Sequence, residues 1–163
     1  MNRWCMAALS VVGVAMTGCP MGGDGGGVTE TAFNATLNGA NEVPPVTTTA
    51  NGTVEFLVNE DGTEMVYELT VVGAVDVTQA HIHMGAAGTA GAVVAFLFES
   101  PGEPVTVDTL SAQGVLTDED LVGQLEGRTL ADLIEAMAAG NTYANVHTTA
   151  NEGGEIRGQI GAE

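Results

Sequence analysis

Apolar and polar residues alternate with a period of two along much of the chain after residue 32. Phe33, Ala35 and Leu37 alternate with Asn34, Thr36 and Asn38, and Asn38-Gly39 breaks the run. Val54, Phe56 and Val58 alternate with Thr53, Glu55 and Leu57. Side chains two apart point to the same side of a strand, so each run predicts a strand with one buried face. Asn59-Glu60-Asp61-Gly62 predicts a hairpin turn because glycine tolerates positive φ. Met65, Tyr67, Leu69 and Val71 then mark the returning strand. Gln79 to Met84 is a further short strand, and the apolar run Ala92 to Phe98 predicts one buried on both faces. Val105 to Leu110 and Gly114 to Leu116 are two more, and Thr142 to Thr148 with Glu155 to Ile160 form a closing hairpin. The period changes to helical at Leu130, Leu133, Ile134 and Met137, bounded by Thr129 and Gly140. Thr117-Asp118-Glu119-Asp120-Leu121 has the N-cap and acidic residues of a helix start. The pattern predicts an all-β, antiparallel Greek-key β-sandwich with a short helical insertion.

The first residues read differently. Arg3 precedes an apolar stretch from Trp4 to Met16, and Met16-Thr17-Gly18-Cys19 sets small residues before a cysteine. The stretch is too short to span a bilayer and reads as a signal peptide over residues 1–18. Residues 16–19 resemble a bacterial lipobox, which implies lipid on Cys19. Ordinary signal cleavage with an incidental cysteine is the alternative. The segment 19–31 combines this cysteine with a glycine-rich tether (Pro20 to Gly27), and residues 32–163 are the folded domain. On this division Cys5 leaves with the signal and the domain has no disulfide. About 130 residues are enough for one core and too few for two domains. The expected location is outside the cytoplasm, lipid-anchored to a bacterial membrane and facing periplasm or exterior.

Charge removes several function classes. The chain carries 21 acidic residues, three arginines and no lysine, for a net charge of −18. Nucleic-acid binding requires basic residues to displace phosphate counterions, so it is excluded. Electrostatic attraction to anionic lipid is excluded on the same ground. After the leader, serine occurs only at Ser100 and Ser111, neither in a nucleophile elbow, which excludes a serine hydrolase. Gly85-x-x-Gly88-x-x-Gly91 lacks the spacing and lysine of a phosphate loop and reads as a turn. Asp118-Glu119-Asp120 lacks the spaced oxygens of a calcium loop, and Glu152-x-x-Glu155 reads as turn and strand edge rather than a glycosidase pair.

The three histidines fall in two compact motifs. His81 and His83 lie in Ala80-His81-Ile82-His83-Met84-Gly85, where a strand would give them one face. His147 lies in Tyr143-Ala144-Asn145-Val146-His147-Thr148, ahead of Gly154-Glu155-Ile156-Arg157-Gly158. Two readings fit. Three imidazoles suit one copper or zinc ion. Alternatively the rings are structural hydrogen-bond hubs linking Asn145, Thr148 or Glu155 across strands. Asn145 and Glu155 are candidates to orient imidazole N–H groups under either, and Arg157 reads as a structural ion pair.

These blocks, with Leu37-Asn38-Gly39 and Glu42-Val43-Pro44-Pro45, resemble the signature of the CHRD (chordin-type) domain from about Ala32 to Ile160. The resemblance implies a β-sandwich outside the cytoplasm and no settled catalytic activity. A second resemblance is to copper/zinc superoxide dismutases, which also have a His-x-His strand, a later histidine, a glycine-rich turn and a C-terminal arginine. It implies that His81, His83 and His147 converge on the outer face of one superoxide-dismutase/immunoglobulin-like sheet, with Arg157 over a metal. The chain lacks a bridging histidine and the further histidines of a second metal site, so a binuclear centre is excluded. The acidic surface argues against dismutation of an anion. The expected function is a non-catalytic binding module on a membrane-anchored lipoprotein, with an unidentified protein or glycan partner. The alternative is a mononuclear copper- or zinc-binding protein.

Overall fold

The computed structural model describes residues 31–163. The signal peptide, Cys19 and the glycine tether lie outside the described residues. The domain is built from antiparallel strands: β1 (Thr31–Asn38), β2 (Asn51–Val58), β3 (Met65–Val72), β4 (Val77–Met84), β5 (Val93–Glu99), β6 (Thr109–Leu116), β7 (Thr142–Thr148), β8 (Ile156–Gln159) and β9 (Gly161–Ala162). One helix, α1 (Leu130–Ala138), precedes β7. The hydrogen-bonded order is β5-β4-β7-β8-β1-β2-β3-β6, with β9 added on β1. The two ends, β5 and β6, come back against each other and nearly close the sheet on itself. β4, β5 and β6 therefore run side by side, and β7 returns through the helical excursion to lie beside β4, which is a Greek key.

The period-two pattern works as expected in β1, β2 and β3. Phe33, Leu37, Val54, Phe56, Leu69 and Val71 point inward and are buried. The turn after β2 is held by Asn59, whose Oδ1 accepts from the backbone N–H of Thr63 and Glu64, and Gly62 takes φ +68°. α1 begins at a capping box in which Thr129 donates its backbone N–H to Asp132, and it buries Leu130, Leu133 and Met137.

Three expectations are corrected. Val105–Leu110 is not a strand. Val105 makes only an isolated bridge to Val77, and one continuous strand runs over Thr109–Leu116. The polar Ser111 and Gln113 do not interrupt it, because they alternate with Leu110 and Ala112 along an unbroken ladder on β3. Gly114 is needed in that ladder, since a Cβ there would lie 2.7 Å from Tyr67 Oη. β5 is not buried on both faces. Phe96 is 44% exposed because it points to the outer face, opposite His81. Finally, residues 117–121 form only a single 3-10 turn, Asp118–Asp120. Its carboxylates serve as caps: Asp120 accepts from the N–H and hydroxyl of Thr117, and Asp118 accepts from the N–H of Leu130 at 2.6 Å.

The free edge of β5 is covered piecemeal. The N–H of Val122 donates to Val94 O at 2.9 Å, and the Tyr67 hydroxyl donates to Leu97 O at 2.8 Å.

β7 departs from simple alternation, for all seven of its residues are buried. Ala144 and Val146 face the core, while Tyr143, Asn145 and His147 face outward, beneath loops. Contacts from residues 85–91, from the turn after β7 and from Glu42 cover this outer face. It is there that the histidines lie.

Candidate metal centre

Register fixes which side chains meet on the outer face of β4, β7 and β8. His83 lies opposite Tyr143, His81 opposite Asn145, and Gln79 opposite His147. Arg157 on β8 lies opposite Asn145 from the other side. β5 adds Phe96, whose ring meets His81 edge-on with centroids 4.8 Å apart. The β4–β5 ladder has irregularities between Ala80 and His81 and between Ile82 and His83, and such bulges re-aim side chains beside sites.

The three imidazoles converge. One ring nitrogen from each of His81, His83 and His147 lies within 4.8 Å of the others, the one such three-residue cluster of potential ligands among the described residues. The closest pair is His81 Nδ1 and His147 Nε2 at 3.0 Å. Two nitrogens bound tetrahedrally to one ion stand about 3.3 Å apart for bonds of about 2.0 Å, so the rings would close in further around a metal, and ligation through His81 Nδ1 would require its proton to move to Nε2.

Backbone carbonyls decide the tautomers. A carbonyl can only accept, so His83 Nδ1 donates to Gly91 O at 3.0 Å and His147 Nδ1 donates to Glu152 O at 2.9 Å. Each of these neutral rings then keeps its lone pair on Nε2. His147 Nε2 receives the Nδ1 proton of His81. His81 Nε2 and His83 Nε2 are buried and have no hydrogen-bond partner. A structural hub would bond at both nitrogens, and His81 does not; at His83 only the Asn145 side chain stands near enough to act as a second partner.

The rings are held neutral. Burial first, then the neighbouring His147 and His83, pushes His81 down to about 3. Burial also lowers His83 and His147, partly offset by their carbonyl hydrogen bonds. Neutral imidazole is the form that ligates metal.

Glu155 and Arg157 behave differently from expectation. Glu155 orients no imidazole; its carboxylate accepts from Thr48 and Thr148 hydroxyls, each at 2.7 Å, and so ties the loop before β2 to the end of β7. Asn145 sits in the middle of the group, its side chain bearing on both His83 and Glu42. Arg157 is 3% exposed and lies with Cζ 3.3 Å from the Tyr143 ring centroid, donating to Thr89 O at 2.7 Å and more weakly to Ala86 O at 3.4 Å. Its guanidinium is engaged by a ring and a loop rather than held out to an incoming anion.

Residues 33–160 match the CHRD domain. The chain belongs to the CHRD-domain family. No curated protein matches it.

Two residues of this CHRD domain had no assigned role in the sequence. Tyr143 stacks on His83 at 4.9 Å with an interplanar angle of 8°. Its signal was present, since Tyr143, Asn145 and His147 are spaced by two and must share a face. Glu42 is a buried carboxylate packed near Gly154 and Asn145, with its pKa raised by burial and moderated by Arg157. Nothing local in Glu42-Val43-Pro44-Pro45 marks it as buried.

Proposed function

We propose that this CHRD domain is a non-catalytic binding module whose ligand is a single copper or zinc ion held by His81, His83 and His147. One observation carries the reading: three neutral imidazoles converge, and among them His81 Nε2 is buried without a hydrogen-bond partner. Leaving such an acceptor unsatisfied costs about 1–3 kcal/mol, which a metal ion would recover. Three neutral nitrogen donors suit copper or zinc and leave a position for water or a small ligand. A shallow recess of about 310 Å³, lined by Glu99, Glu152 and Thr78, reaches His147 from solvent. Its carboxylates favour an entering cation over an anion. A holding role is thus better supported than turnover of an anionic substrate.

Metal analysis of the purified domain after separate loading with zinc and copper tests this. One ion per chain is expected, falling sharply in His81→Ala, His83→Ala and His147→Ala. Equal uptake by the triple variant overturns the assignment.

We further infer that the domain works outside the cytoplasm, tethered to a bacterial membrane through lipid on Cys19. The leader and the small residues before Cys19 support this. Labelling with radioactive palmitate, present in the full chain and lost in Cys19→Ser, is the expected result. Label retained in Cys19→Ser refutes it.

A further inference from the structure

We propose that Tyr143 and Arg157 are positioning residues that fix the His83 ring in the orientation and tautomer that turn its Nε2 toward His81 and His147. The value of this lock rests on the metal reading above; the lock itself is a property of the metal-free protein.

The device is a closed circuit. The strand order β4-β7-β8 puts His83 on one side of Tyr143 and Arg157 on the other, so the phenol ring is held between imidazole and guanidinium. Arg157 extends past the ring to bind the carbonyls of Thr89 and Ala86. That grip sets the course of the chain into Gly91. Gly91 then acts in both directions: its N–H donates to Tyr143 Oη at 3.2 Å, and its carbonyl accepts from His83 Nδ1 at 3.0 Å. Gly91 fits only because it has no side chain, since a Cβ there would lie 1.4 Å from Met84 O.

The other two histidines stand outside this circuit. His147 is oriented by Glu152 O, and His81 by His147 and Phe96. The effect of Arg157 must therefore be specific to His83. Stacking on a ring while donating in the guanidinium plane is something a lysine ammonium cannot reproduce. Partners that orient a ligand histidine typically contribute about 10–100-fold to metal affinity.

The test is long-range proton–nitrogen NMR on metal-free protein labelled at histidine, which reads the tautomer of each ring. Wild type is expected to show His83 protonated at Nδ1. His83 found predominantly as the Nε2–H tautomer overturns the proposal before any variant is made. Arg157→Lys and Tyr143→Leu are expected to reduce the Nδ1–H form of His83 while leaving His147 unchanged. Zinc affinity should fall about tenfold in Arg157→Lys. In a His83→Ala background the same substitution should have no further effect. An unchanged His83 tautomer in both variants, or an equal loss of zinc affinity with and without His83, also overturns it. If wild type takes no zinc, the metal reading fails alone, because the tautomer measurement still judges the lock.

Discussion

Acid should destabilise the metal-free domain through His81, and by an amount the site itself sets. Burial and two neighbouring imidazoles push this ring from 6.5 down to about 3. Above pH 6.5 the ring is neutral whether the chain is folded or not, and its contribution is fully retained. Below 6.5 the unfolded chain binds a proton that the folded ring refuses, so stability is lost as pH falls toward 3. Each pH unit in that window is worth about 1.4 kcal/mol. Between pH 7 and pH 4.5 the loss from His81 is about 2.5 kcal/mol, a large part of the stability of a small domain. At pH 4.5 the folded ring is still neutral, so the loss is governed by the ordinary imidazole pKa. His83 and His147, lowered chiefly by burial, act in the same direction. Glu42 opposes them: its raised pKa gives a contribution present below 4.5 and lost as pH rises through the folded value. Comparing His81→Gln with wild type cancels that background. Urea denaturation with chelator present, at pH 7 and at pH 4.5, gives the four free energies required. Wild type should lose about 2.5 kcal/mol more than His81→Gln over this interval. Equal losses in the two proteins would refute the assignment of a buried, neutral His81.

Three further outcomes are expected. Gly91→Ala should cost about 3 kcal/mol or more, because its methyl group collides with the Met84 carbonyl; a thermal melt that matches wild type contradicts the packing described. Tyr67→Phe should cost about 1 kcal/mol by removing the hydroxyl that satisfies Leu97 O, read from the urea midpoint, and an unchanged midpoint counts against that hydrogen bond. Zinc at about 100 times its dissociation constant should stabilise wild type by about 2.7 kcal/mol and leave His147→Ala where it was; equal shifts in both would point to binding elsewhere.

The legibility of the sequence followed burial. β1, β2 and β3 alternate cleanly because one of their faces meets solvent, so their register could be read from Phe33, Val54 and Leu69. β7 has loops over its outer face and no exposed residue, and only the chemistry of Asn145 and His147 marked it out. Phe96 was misread as core because an apolar run does not reveal that one of its faces is left open to solvent. The three histidines were legible as a face on β4 and a later motif. Their convergence depends on β7 crossing back beside β4, which no local spacing states. The roles of Arg157 and Glu155 were harder still. Arg157 was read as an ion pair from charge alone, but its partners are a ring and two carbonyls fixed by tertiary packing. Glu155 was read as an imidazole partner, and two threonine hydroxyls reach it instead.

The covered edge of β5 has a consequence for how copies of this domain meet. An exposed edge strand offers carbonyls and amides as a template on which another chain can add a strand, the first step toward domain swapping or fibril growth. Here Val122 and Tyr67 already occupy the Val94 and Leu97 carbonyls, and β6 stands against the remaining side. An incoming strand would have to displace a loop and a buried phenol before making its first ladder bond. Crowded together, the domains have little at this seam with which to begin a shared sheet.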